Sequence, residues 1–96
     1  MKFKERIREL RETEGIPQRK LAFALDIDTA TYCKVEKGTR RMKAEQVAII
    51  AKMLHCDKEE LLTLWLADQV TNIVKENKKL ADNAIRIAKK NLKQEE

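Results

Sequence analysis

Five cations crowd into the short stretch from Lys34 to Lys43, namely Lys34, Lys37, Arg40, Arg41 and Lys43. The chemistry open to such a cluster is the gripping of phosphate oxygens. The chain as a whole carries a net charge of +5. Residues 1–43 hold 12 Lys or Arg against 7 acids, whereas residues 44–96 hold 9 of each. All the excess positive charge therefore sits in the N-terminal half, as a phosphate-facing surface requires. An ordinary solvated surface accounts for the basic residues near the N-terminus. It accounts less well for Lys34 to Lys43.

Other chemistries lack candidates. Cys33 and Cys56 are isolated, with no CxxC pair and no histidine array, so neither a zinc site nor a disulfide framework is indicated. His55 is the only histidine, and its place at a helix end reads as a C-terminal cap. No Ser/His/Asp set, glycine-rich phosphate loop or metal-spaced carboxylates can be assembled, so no catalytic residue, metal or cofactor is expected and the chain does not read as an enzyme. Reduced thiols and a charged N-terminus without a long apolar run point to the cytoplasm.

The elements that must hold the cations are helical. Between Gln18 and Arg41, apolar residues fall at the spacing of two short helices joined by a tight turn: Leu21, Ala22 and Leu25 on the first, Ile27 in the turn, Tyr32 and Val35 on the second. Ala22 is small enough for two helices to cross closely. Asp26 occupies the turn, where Asp is among the few non-glycine residues that tolerate positive φ. Asp28 is suited to N-cap a helix from Thr29 to about Lys37, which Gly38 ends.

Phe3, Ile7 and Leu10 predict a first helix over residues 2–14, closed by Gly15, and Pro17 suits the start of the second. Val47, Ile50, Ala51 and Leu54 predict a fourth over 44–54. Asp57 and Glu60 read as a capping box for a long segment over 58–75, and a last helix follows over about 78–92. With two glycines and one proline, the chain reads as all-α: a five-helix domain over residues 1–61 and an extended C-terminal helical arm over 62–96.

The apolar surface after Leu61 exceeds what a five-helix core needs. Leu64, Trp65, Leu66, Ile73, Ile85 and Ile87 require cover, which a symmetric homodimer interface would supply. A helical hairpin folding back on its own domain is the alternative.

The stretch from Lys4 to Leu61 resembles the Cro-type (Xre) phage-repressor family of bacterial helix-turn-helix regulators. The matching elements are Gln18, the LAFAL of Leu21 to Leu25, Ile27, the VEKG of Val35 to Gly38 and the IIAKML of Ile49 to Leu54. Residues 62–96 are similar to the arms of restriction-modification controller proteins. The resemblance implies a repressor-like DNA-binding domain whose helix 29–37 enters the major groove. It implies base reading by Thr29, Ala30, Cys33 and Lys34. Phosphate contacts fall to Gln18, Lys37, Thr39, Arg40, Arg41 and Lys43, and a structural ion pair to Arg11 and Glu36. Two residues depart from the family pattern: Asp26 stands for a turn glycine, and Tyr32 for a smaller β-branched core residue.

The resulting expectation is a homodimeric, sequence-specific transcriptional regulator binding a palindromic double-stranded DNA operator. Its dimer interface would use Leu64, Trp65, Leu66, Ile73 and Ile85. The alternative is an antitoxin or adaptor whose C-terminal helices mainly bind a protein partner.

Overall fold

The computed structural model describes residues 1–95, and all regular structure among them is helical. The elements are α1 (Phe3–Glu14), α2 (Gln18–Ala24), α3 (Thr29–Lys37), α4 (Ala44–Met53), α5 (Lys58–Val74) and α6 (Lys78–Gln94), with a 3-10 turn at Lys75–Asn77. The chain divides into two compact units, Met1–Leu66 and the remainder from Ala67. The first unit runs past Leu61 because Leu62, Leu64 and Trp65 pack in part against its core.

That core forms where the apolar faces of α1 to α4 meet the first turn of α5. Ile7, Leu21, Tyr32, Val47, Ile50, Leu54 and Leu61 are fully buried. Each such side chain contributes about 1.5–3 kcal/mol relative to exposure. Ala22, also buried, lies on α2, which contacts both α3 and α4.

Local chemistry fixes the helix ends. Gly15 and Gly38 adopt φ of 69° and 84° and close α1 and α3. Asp26 and His55 take the same left-handed region at φ 57° and 54°, so both turns carry a side chain where glycine would be easiest. Asp28 Oδ1 accepts from Thr31 N at 2.7 Å and caps α3. Glu5 Oε1 accepts from Lys2 N at 3.0 Å, and Gln46 Oε1 from Lys43 N at 2.9 Å, so α1 and α4 are capped from within.

The start of α5 differs from the capping box expected there. Asp57 Oδ1 accepts only a long bond from Glu59 N at 3.4 Å, and Glu60 turns away to accept from Arg6 Nε at 2.8 Å. A guanidinium on α1 outbids a backbone amide for that carboxylate because both partners are charged. The result ties α5 to α1.

Met42, in the loop between α3 and α4, is buried, and its carbonyl accepts from Trp65 Nε1 at 2.8 Å. This bond joins the loop that carries Arg40, Arg41 and Lys43 to α5. In the second unit, Asn77 leaves helical geometry at φ −132° and ψ 55°, and α6 buries none of its residues.

Candidate functional site

Helix α3 has two unlike faces. Tyr32, Val35 and Glu36 turn inward and are buried, while Thr29, Ala30 and Lys34 are exposed on the opposite edge and Cys33 is half-buried. The orientation is set by Glu36. Its carboxylate accepts from Arg11 Nε at 2.7 Å and Arg11 Nη2 at 3.1 Å, a two-pronged pair, and from Gln18 Nε2 at 3.1 Å. Arg11 Nη1 also donates to Ile16 O at 3.0 Å. One carboxylate thus ties α3 to α1 and to the first residue of α2.

Burial pushes the Glu36 carboxyl up, but Arg11, the neighbouring Tyr32 hydroxyl and Gln18 together outweigh it and hold the group below its ordinary value. The same pair raises the Arg11 guanidinium. Tyr32, fully buried beside this centre, is kept neutral by burial first and by the Glu36 charge second. Its hydroxyl lies near enough to Glu36 to feel that charge, yet makes no hydrogen bond of good geometry.

At the other end of α3 the backbone is tied off. Gly38 N donates to Val35 O at 3.0 Å, Thr39 N to Lys34 O at 3.0 Å, and Thr39 Oγ1 to Lys34 O at 3.3 Å. Lys4 Nζ lies 3.4 Å from Lys37 O, laying an ammonium group over the negative end of the helix. Its stem covers Gly38, where an added Cβ would come within 2.8 Å of Lys4 Cδ.

Lys34, Lys37, Arg40, Arg41 and Lys43 are exposed and form no salt bridge among the described residues. Asp28 brings a carboxylate near two of them, Lys34 and Arg40. Hydrogen bonding by Thr31 draws its pKa below the ordinary range, and Lys34 and Arg40 add to that effect. Gln18 spends one amide hydrogen on Glu36 and keeps a second for another acceptor. The Thr39 hydroxyl donates within the chain and retains its lone pairs. An exposed, mostly uncharged helix edge is thereby flanked by unpaired cations, a surface that can hydrogen-bond a polar edge and neutralise anions beside it.

The structure also places residues that sequence reasoning did not single out. Lys4 reaches the end of α3 from 33 positions away, and no local spacing signals it. Phe23 stands on α2 at 86% exposure. Of the residues expected at a dimer interface, Leu64 and Trp65 are half-covered by their own core, whereas Leu66, Ile73 and Ile85 are exposed. Among the described residues no group of His, Cys, Asp or Glu is placed to hold a metal ion, and no helix is long and apolar enough to cross a membrane.

A family profile described as a helix-turn-helix domain matches residues 3–64. No curated protein and no solved structure matches the chain.

Proposed function

From its membership of the helix-turn-helix domain family, to which this chain belongs and which implies DNA binding, we propose that the protein is a homodimeric, sequence-specific transcriptional regulator of the Cro-type, acting in the cytoplasm. Helix α3 enters the major groove, which is wide enough for one helix. Thr29 exchanges hydrogen bonds with base edges, Ala30 packs on a thymine methyl, and Lys34 donates to guanine O6 and N7. Half-buried Cys33 sits between them and contributes contact more than hydrogen bonding.

Gln18 directs its free amide hydrogen at a phosphate while its other hydrogen braces Glu36. Lys37, Arg40, Arg41 and Lys43 neutralise phosphates on the far side, and Thr39 turns its hydroxyl proton from Lys34 O to a phosphate oxygen there, fixing register without reading sequence. The Arg11–Glu36 pair has a positioning part: it holds α3 so that the reading edge faces out.

The observation that carries this reading is the two-faced α3, anchored through buried Glu36 and bordered by exposed cations that make no salt bridge. The arm supplies the second copy through exposed Leu66, Ile73 and Ile85, with Leu64 and Trp65 at its root. Two copies then occupy half-sites about one helical turn, on the order of 34 Å, apart. The regulator is of the repressor or restriction-modification controller type, the latter suggested by the resemblance of the arm.

Selection of bound duplexes from a random library by the full chain tests the proposal. Enrichment of a palindrome, bound with an affinity that falls steeply with salt, supports it. Weak, unselective binding together with a stoichiometric heterologous protein on the arm would favour an antitoxin or adaptor instead.

A further inference from the structure

Five of the seven large exposed apolar residues of the arm follow a seven-residue rule. From Leu66 the series Val70, Ile73, Asn77, Leu80, Ala84, Ile87 and Asn91 advances in alternating steps of four and three. These are the d and a positions of a heptad, with Leu66, Ile73, Leu80 and Ile87 at d and Val70, Asn77, Ala84 and Asn91 at a. The five large apolar members are between 44% and 77% exposed. As one uninterrupted helix, a stripe of that length would span about 38 Å.

We propose that residues 66–91 form a two-stranded, parallel, in-register coiled coil with a second copy of this chain. The inference rests on the homodimer reading above and narrows its interface to one seam.

Three observations select this occupant. First, the 3.5-residue period is the period at which a helix keeps one face toward a like partner. Helix α6 buries nothing within its own chain, whereas most helical stability in proteins comes from packing an amphipathic face. Second, two of the four a positions are Asn. A buried amide needs a hydrogen-bonding partner. Only the parallel, in-register pairing sets Asn77 opposite Asn77 of the partner subunit and Asn91 opposite Asn91 of the partner subunit, because an antiparallel pairing faces each with a Leu or Ile at d. Third, continued one turn past residue 91, the same register brings Lys90 at g to the partner's Glu95 at e, an opposite-charge pair.

The heptad also excludes residues. Ile85, which the broader homodimer reading includes and this seam leaves out, and Leu92 fall at b, beside the seam and outside it, although both are apolar. The 3-10 turn at Lys75–Asn77 coincides with the Asn-bearing layer at residue 77. Pairing of that layer restores a continuous helix, so helicity rises as the chain dimerises. A parallel coil brings both copies of Leu66, and with them both DNA-reading domains, to the same end, as two half-sites require.

The test uses the full chain with Cys33→Ser and Cys56→Ser as background. Ile87→Cys, near one end of the seam, is oxidised in a glutathione buffer, with Leu92→Cys as the outward-facing control, and the chain with no added cysteine is sedimented in parallel. Both substituted positions are exposed in the single chain, so neither threatens folding. The proposal expects a dimer in sedimentation, near-complete crosslinking of Ile87→Cys and at least about tenfold less for Leu92→Cys. Asn77→Val in that background should tighten the dimer at least about tenfold, since the polar layer specifies register at a cost in stability. A dimer in which Ile87→Cys fails to crosslink overturns the parallel seam and leaves the homodimer standing. A trimer or tetramer overturns the two-stranded seam, and a monomer at high micromolar concentration overturns both readings.

Discussion

Replacing Arg11 with Ala removes both prongs of the clamp on Glu36, at 2.7 and 3.1 Å, and the bond to Ile16 O. Glu36 is left with the Gln18 bond and the neighbouring Tyr32 hydroxyl, in a site where its side chain is 4% exposed. Stranding one member of a buried pair costs about 3–5 kcal/mol. The Arg11 side chain is 15% exposed, so water can enter part of the vacated space, and the low end, about 3 kcal/mol, is the expected loss. A unit of this size has a total stability on the order of 3–10 kcal/mol, so the variant should be close to unfolding.

The loss carries a pH signature. In the parent, Glu36 titrates below the ordinary 4.5, so the pair's contribution is complete above that value and fades as pH falls through the lower folded value. In Arg11→Ala, burial is opposed only by the neighbouring Tyr32 hydroxyl and Gln18 and the carboxyl rises, so protonation relieves the variant as pH falls. The gap between the two chains in urea denaturation should therefore shrink from about pH 7 to about pH 4. Replacing both partners, Arg11→Met with Glu36→Leu, should cost much less than Arg11→Ala alone. A loss under about 1 kcal/mol, a gap independent of pH, or additive single and double variants would refute the reasoning.

Three further outcomes follow from single residues. His55→Gly should raise stability by about 1 kcal/mol in urea denaturation, because φ 54° strains a side chain there and the 3.5 Å contact with Glu14 is exposed; a loss of stability would contradict that. Tyr32→Phe should leave stability unchanged or raise it by up to about 1 kcal/mol, since it removes a buried hydroxyl without a hydrogen bond, and a loss beyond that would show the hydroxyl to be bonded. Lys34→Ala should alter base preference at one position of each half-site, whereas Arg41→Ala should weaken all duplexes alike; equal effects on a panel of operator variants would refute the division of labour.

Much of the fold is legible because short-range rules decide it. The spacing of Leu21, Ala22, Leu25, Tyr32 and Val35, the Asp28 cap, the glycines at 15 and 38 and the positive φ at Asp26 place α1 to α4 within a residue of the observed ends. What local rules miss is competition between distant partners. Glu60 has the right spacing to cap α5 but is taken by Arg6, 54 positions away. Met42 lies among cations in a loop, yet it is buried and its carbonyl receives the Trp65 indole. His55 reads as a cap by charge, but its backbone, in the left-handed region, makes the turn.

The candidate site divides the same way. The exposed reading edge follows from helical periodicity once the inward face is known. Lys4 at the end of α3 and the second use of Gln18 as a brace on Glu36 depend on tertiary geometry. The arm was legible as apolar surplus, but helical spacing alone could not divide Leu64 and Trp65, half-covered by their own core, from Leu66 and Ile73, which are not.

Methylation interference at guanine N7 on a duplex selected by the full chain bears most directly on α3 as the reading element, because N7 lies in the major groove. Two symmetric clusters of interfering guanines, about one helical turn apart and shifted at one position by Lys34→Ala, are the expected result. Binding indifferent to N7 methylation, or interference confined to minor-groove adenine N3, would contradict it.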